Sequence, residues 1–169
     1  MGCACEAPTD QKYDTGYFDL ARVIDGQIEE LGSGAWESEK RVKVNDASEE
    51  LQQNLDSALL KEELAIFQAF DPGKPQYKNA FEITDSDGIT TYTKKEGERQ
   101  SLQWVKVESR GNVMRVTAEI VEETSIYTNQ KRMDMRLESG KLKRYALAGY
   151  QKMLFRDTTF FEMTATLFN

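Results

Sequence analysis

The apolar positions Tyr17, Leu20, Ala21, Ile24, Ile28 and Leu31 recur at steps of three and four, which puts them on one stripe of a helix. Gly32-Ser33-Gly34 then ends it. Trp36 to Val44 alternates and predicts a short strand whose charge suits a sheet edge. Asp46 with Glu49 three residues on has the form of a capping box, which predicts a second helix. Leu51, Leu55, Leu59, Ile66 and Phe70 would share one face of it, widened by Leu60, Leu64 and Phe67. Asp71-Pro72-Gly73 stops that helix, because proline can neither donate nor continue the turn.

Beyond Pro75 the pattern changes to period two. Turn residues at 85–88, 110–112, 139–140 and 156–157 separate runs rich in Val, Ile, Thr, Tyr and Phe. They predict roughly seven strands, near 80–85, 89–95, 101–109, 112–122, 124–137, 141–150 and 157–168. Met114, Val116, Ala118 and Ile120 fall on one side, with Val113, Arg115, Thr117 and Glu119 on the other. Phe161, Met163, Ala165 and Leu167 repeat the inward pattern, so one face is covered and the other is wet. Between Leu102 and Glu108 the alternation breaks, since Leu102 and Trp104 oppose Val105 and Val107 in parity. The expected fold is α+β, with two N-terminal helices packed on a curved antiparallel β-meander of roughly seven strands.

A length of 169 residues fits one domain, expected over 15–169 behind a flexible arm over 1–14. Lys and Arg total 22 against 29 Asp and Glu, a net charge of -7, so the average field repels nucleic acid and none is expected as a partner. The basic stretches Lys131-Arg132 and Lys141 to Arg144 have Asp134 and Glu138 beside them and read as solvated strand edges. There is no histidine, which removes the commonest general base, the commonest transition-metal ligand and every Ser-His or Cys-His nucleophile. No run of 18 or so apolar residues is present to span a bilayer as a helix.

Both cysteines lie in Met1-Gly2-Cys3-Ala4-Cys5, so the fold carries no disulfide framework of its own. Three chemistries fit this pair. Cys3, after a small residue, can be the lipidated cysteine of a bacterial lipoprotein, with Glu6 to Tyr13 as a polar tether; this requires an apolar export segment upstream. Gly2 can instead be myristoylated with Cys3 and Cys5 palmitoylated, although Glu6 stands where Ser or Thr is preferred. The third reading is an arm with incidental thiols or a weak Cys-x-Cys metal site. The first is adopted, with lipidation at Cys3.

Other candidate chemistry is sparse. Asp85-Ser86-Asp87-Gly88 followed by Glu96 resembles a calcium loop in spacing, but Thr90 stands where an EF-hand needs glycine, so a hairpin turn is expected. Asp71 to Pro75 with Tyr77 reads as a stiff helix-to-sheet connector. No spacing singles out a carboxylate pair for acid-base work, and no catalytic residue, metal or cofactor is assigned. Phe67, Phe70, Trp104, Met114, Phe161 and Met163 are candidates to line an apolar ligand cavity between sheet and helices, against the plainer reading that they are core.

Tyr17-Phe18-Asp19-Leu20 opening the first helix, then a charged strand, then Glu62-Glu63-Leu64 with Phe67, Asp71, Lys74-Pro75 and Tyr77, and finally the β-meander, resembles uncharacterised cell-envelope lipoproteins of the Bacteroidota. The resemblance spans most of the chain through packing and turn residues. It implies an envelope location and a lipid-anchored cysteine at Cys3, and it implies no catalytic residue. The sheet-on-helix pattern is also similar to bacterial lipoprotein-carrier folds, an analogy of fold alone. The expected function is therefore that of a non-enzymatic envelope lipoprotein, anchored to the outer membrane, that binds or assembles with an envelope protein. The alternative is a carrier of a lipid or other apolar ligand.

Overall fold

The computed structural model describes residues 16–169, so the arm and the lipidation assigned to Cys3 lie outside the described residues. Helix α1 spans Leu20–Gly32 and buries Leu20, Ile24, Gln27 and Leu31 on its inner stripe. The Asp19 side chain caps it by accepting from the Arg22 amide at 2.8 Å. The hairpin β1 (Trp36–Val44) and β2 (Ala47–Leu55) follows, then α2 (Ser57–Leu64), which runs on into a 3-10 segment, Ala65–Phe70. A 3-10 turn at Pro75–Tyr77 leads into β3 (Phe81–Ser86), β4 (Ile89–Lys94), β5 (Leu102–Arg110), β6 (Val113–Glu123), β7 (Tyr127–Glu138), β8 (Lys141–Met153) and β9 (Thr159–Phe168).

All nine strands form one antiparallel sheet in the order β2-β1-β9-β8-β7-β6-β5-β4-β3. Strands β3 to β9 are the expected meander, and the first hairpin adds to its far edge by pairing β1 with β9.

Two expectations are corrected. The sheet has nine strands instead of seven, and the helices are not both N-terminal to it, because a hairpin stands between them. The capping-box reading of Asp46 and Glu49 took β2 for helix, while the strand expected at Trp36 to Val44 is present as β1 and joins the meander through β9. Asn45 takes a left-handed φ of 51°, the conformation of a tight hairpin turn, and Glu49 pairs with Val42 in the ladder. Leu51 and Leu55 are four apart, a spacing that satisfies a helical stripe and a strand face equally well. The true helix start lies ten residues on, where Asp56 accepts from the Leu59 amide at 2.8 Å. The stop at Asp71-Pro72-Gly73 is where it was expected.

The parity break in β5 is a β-bulge. The register steps from Leu102↔Ile120 to Trp104↔Glu119, leaving Gln103 as an extra residue. Leu102 thereby joins Val105 and Val107 on the buried face, while Trp104 turns to the other. A second bulge makes Lys143 the extra residue of β8, so Leu142 and Tyr145 both face the core. There Gln27 of α1 replaces the missing ladder bonds: its amide donates to the Gly140 carbonyl at 2.9 Å and accepts from the Leu142 N–H at 2.6 Å.

The core lies between the helices and this one sheet face. Leu20, Ile24, Leu60, Leu64, Phe67 and Phe70 meet Val105, Val116, Ala118, Met135, Tyr145 and Ala165, all nearly or fully buried. The opposite face is wet and carries the ion pairs Arg115–Asp134 and Arg132–Glu119. Among the described residues no helix is long and apolar enough to cross a membrane.

Candidate functional site

The connector Asp71 to Tyr77 turns out to hold the fold. Asp71 is buried, and one carboxylate oxygen accepts from the Leu20 amide at 3.1 Å and the Gly73 amide at 2.9 Å, tying the start of α1 to the end of the helical layer. Burial pushes this carboxyl above its ordinary range, the two backbone bonds oppose that shift, and the Asp19 charge adds to it. A raised acid binds more protons folded than unfolded, so its contribution to stability falls as pH rises from the ordinary value of 3.8 through the folded value. Asp71→Asn keeps an acceptor without the charge and is expected to leave stability at pH 7 unchanged or higher. Asp71→Ala is expected to cost about 1–3 kcal/mol, because both amides lose this acceptor. Urea unfolding of the two variants at pH 7 checks the contrast.

A carboxylate, a lysine and a tyrosine do converge, at a place sequence spacing gave no hint of. Glu63 of α2 receives Lys40 Nζ of β1 at 2.9 Å and Gln53 Nε2 of β2 at 2.8 Å on one oxygen, and the Tyr145 hydroxyl of β8 on the other. Burial pushes the Glu63 carboxyl up, but these hydrogen bonds and the Lys40 charge outweigh it and hold the carboxyl below its ordinary range. The Tyr145 phenol is pushed well above the tyrosine range, first by burial and then by Glu63. Tyr145 thus keeps its proton and donates a hydrogen bond to the Glu63 carboxylate. The Glu63 side chain is only 7% exposed and its oxygens are occupied, so the cluster joins elements and offers no open position for a substrate.

The six residues considered for an apolar cavity are divided by the sheet. Phe67 and Phe70 are fully buried and fill the space between sheet and helices, Met114, Phe161 and Met163 are half-buried against that core, and Trp104 lies on the wet face. Its indole donates to Glu119 at 3.1 Å, and Glu119 also receives Gln130 and Arg132. The segment Asp85 to Gly88 is the β3–β4 hairpin turn, with Asp87 and Gly88 at φ 53° and 76°.

The most unusual surface is one end of the sheet, where three hairpin tips lie side by side. The β6–β7 tip exposes Ile126, the β8–β9 tip exposes Met153, Leu154 and Phe155, and Phe160 lies beside them. Phe155 is 96% exposed and sits in the left-handed region at φ 61°, uncommon for a bulky residue. The tips are braced against each other. The Leu154 amide donates to the Ile126 carbonyl at 2.9 Å, and Asn45 at the β1–β2 tip exchanges bonds of 2.9 Å with the Phe160 backbone. Thr124 Oγ1 accepts from the Tyr127 amide at 3.1 Å and fixes the β6–β7 turn.

Beside Phe160 is an open cavity of about 670 Å³, lined in part by Lys43, Gly149, Asp157, Phe160 and Phe161. Only glycine fits at its floor: a Cβ on Gly149 would stand 2.0 Å from the Gln130 carbonyl oxygen and 2.8 Å from the Phe161 ring. The apolar triplet at 153–155 next to the turn residues Arg156-Asp157 is the signal that sequence reading passed over, since a hairpin tip is ordinarily polar. No protein family, curated protein or solved structure matches the chain.

Proposed function

We propose that the chain is a non-enzymatic envelope lipoprotein whose domain is a binding module, and that the apolar hairpin end is its contact surface. The observation that carries this is the exposure of Ile126, Met153, Leu154, Phe155 and Phe160 together on braced tips. Large apolar side chains left in water cost nothing to desolvate in a complex and gain by burial, and an aromatic on a rigid tip is the usual anchor for a partner pocket. Carboxylates at Asp46, Glu122, Glu123, Asp157 and Glu162 outnumber the cations Lys43, Lys152 and Arg156 around the tips and disfavour an anionic bilayer as the occupant. The reading is therefore a protein partner with an apolar pocket. The carrier alternative would require Phe67 and Phe70 to leave the space they occupy.

A photo-crosslinking residue at position 155 of the full chain, expressed in its own cell, tests the surface. One discrete protein adduct is expected, lost on Ile126→Ser with Leu154→Ser, two exposed changes that are expected to alter stability by no more than about 0.5 kcal/mol. Adducts to lipid alone, or none, would overturn the proposal. In the same cells Cys3→Ser is expected to release the protein from the membrane fraction.

A further inference from the structure

The wet face carries a second feature at the opposite end of the strands, where β5–β6 and β7–β8 turn. Register places Arg115 of β6 opposite Arg136 of β7, and Arg136 opposite Arg144 of β8. Adjacent strands are about 4.8 Å apart, so three guanidinium side chains start within about 10 Å of one another. Like charges directly opposite each other on a ladder are destabilising, and here two such pairs share Arg136. Arg110 adds a fourth cation, and an open cavity of about 510 Å³ lies among them.

The local acids neutralise this row only in part. Asp134 pairs with Arg115 and Glu138 with Arg136, while Glu108 pairs with Lys106 at 3.1 Å. Arg110 and Arg144 make no ion pair or side-chain hydrogen bond with any other described residue. A chain with a net charge of -7 thus gathers four exposed arginines around one hollow, and two of them, Arg110 and Arg144, have no ion-pair partner among the described residues. We propose that this row binds the phosphomonoester group of a small ligand, with Arg136 and Arg144 as its principal partners.

The chemistry follows from number and shape. A guanidinium presents parallel N–H donors that match two oxygens of a phosphate, and a phosphomonoester carries close to two negative charges, enough to offset neighbouring arginines that one carboxylate would leave in excess. A nucleic-acid backbone is a poorer fit, because Glu108, Asp134 and Glu138 interrupt the positive surface within the width of three strands. The phosphate can belong to a soluble ester or to a lipid headgroup, two sources of one chemistry. The site is remote from the apolar hairpin tips, so its failure would leave the docking surface untouched, and the reverse holds too.

The test is a titration of the full chain, labelled with ¹⁵N, in which the arginine Nε–H resonances are followed on adding inorganic phosphate or glycerol phosphate against chloride at equal ionic strength. Saturable shifts at Arg136 and Arg144 are expected, with affinity reduced about tenfold or more by Arg144→Gln and unchanged by Arg132→Gln on the same face. All three positions are exposed, and the spectra themselves report whether each variant is folded. Sedimentation with phosphatidylcholine vesicles, with and without phosphatidic acid, separates the sources. Binding that needs phosphatidic acid and Arg144 indicates a headgroup, while binding of glycerol phosphate without vesicle binding indicates a soluble ester. Equal responses to phosphate and chloride, or equal weakening by Arg144→Gln and Arg132→Gln, would overturn the proposal.

Discussion

Glu63→Ala is expected to destabilise the domain by about 3 kcal/mol at pH 7, measured as a shift of the urea midpoint at constant slope. The loss arises from what remains behind. Without the carboxylate, the Tyr145 hydroxyl is left in the core without its acceptor, and the Lys40 ammonium, 19% exposed, loses its counter-charge. Lys40 can still lean toward water along its stem, which keeps the cost at the lower end of the range for a broken buried pair. Glu63→Gln retains an acceptor for Tyr145 and is expected to cost less. Tyr145→Phe should cost about 1 kcal/mol, since Glu63 then keeps Lys40 and Gln53.

The same cluster sets a pH dependence of known sign. The folded Glu63 carboxyl lies below its ordinary value of 4.5, so between the two values the unfolded chain binds more protons and stability rises with pH. The contribution is present above the ordinary value and lost as pH falls through the folded one. Wild type and Glu63→Gln should therefore converge in stability on acidification below about 4.5. Asp71 acts in the opposite direction over its own window, and Glu119, also held below its ordinary value, acts in the same direction as Glu63, so the Glu63 slope is read as the difference between wild type and Glu63→Gln.

What could be read from the chain was what local period determines. Helix α1 and strands β3 to β9 came from single-residue alternation or three- and four-residue steps within one element, and each of those signals has one structural meaning. Leu51 and Leu55 do not, and a two-residue turn at Asn45-Asp46 mimicked a helix cap, so β2 was taken for helix. The parity conflict at Trp104 was visible, but one inserted residue reverses every side chain beyond it, and Gln103 could be identified as that residue only from the pairing of β5 with β6. Sites built across elements were not legible at all. Lys40, Gln53, Glu63 and Tyr145 come from four elements, and Arg115, Arg136 and Arg144 become neighbours only through the registers of β6, β7 and β8.

Phe67→Ala is expected to cost about 3–5 kcal/mol, the range for removing a large buried aromatic side chain. Phe67 is fully buried, and its ring meets Tyr145 edge to face at 5.6 Å and 79°, so truncation also removes support from the tyrosine that bonds Glu63. The 3-10 segment that carries it is held at both ends, by α2 and by the Asp71 turn, which limits collapse into the space left. A small aromatic added to the variant should therefore recover part of the lost stability by occupying that space, while leaving wild type unchanged. A wild-type protein that gained stability from the same ligand, with little loss on truncation, would mean that the space between sheet and helices opens readily, as a carrier requires. Thermal unfolding of both proteins with and without benzene separates a filled core from a carrier cavity.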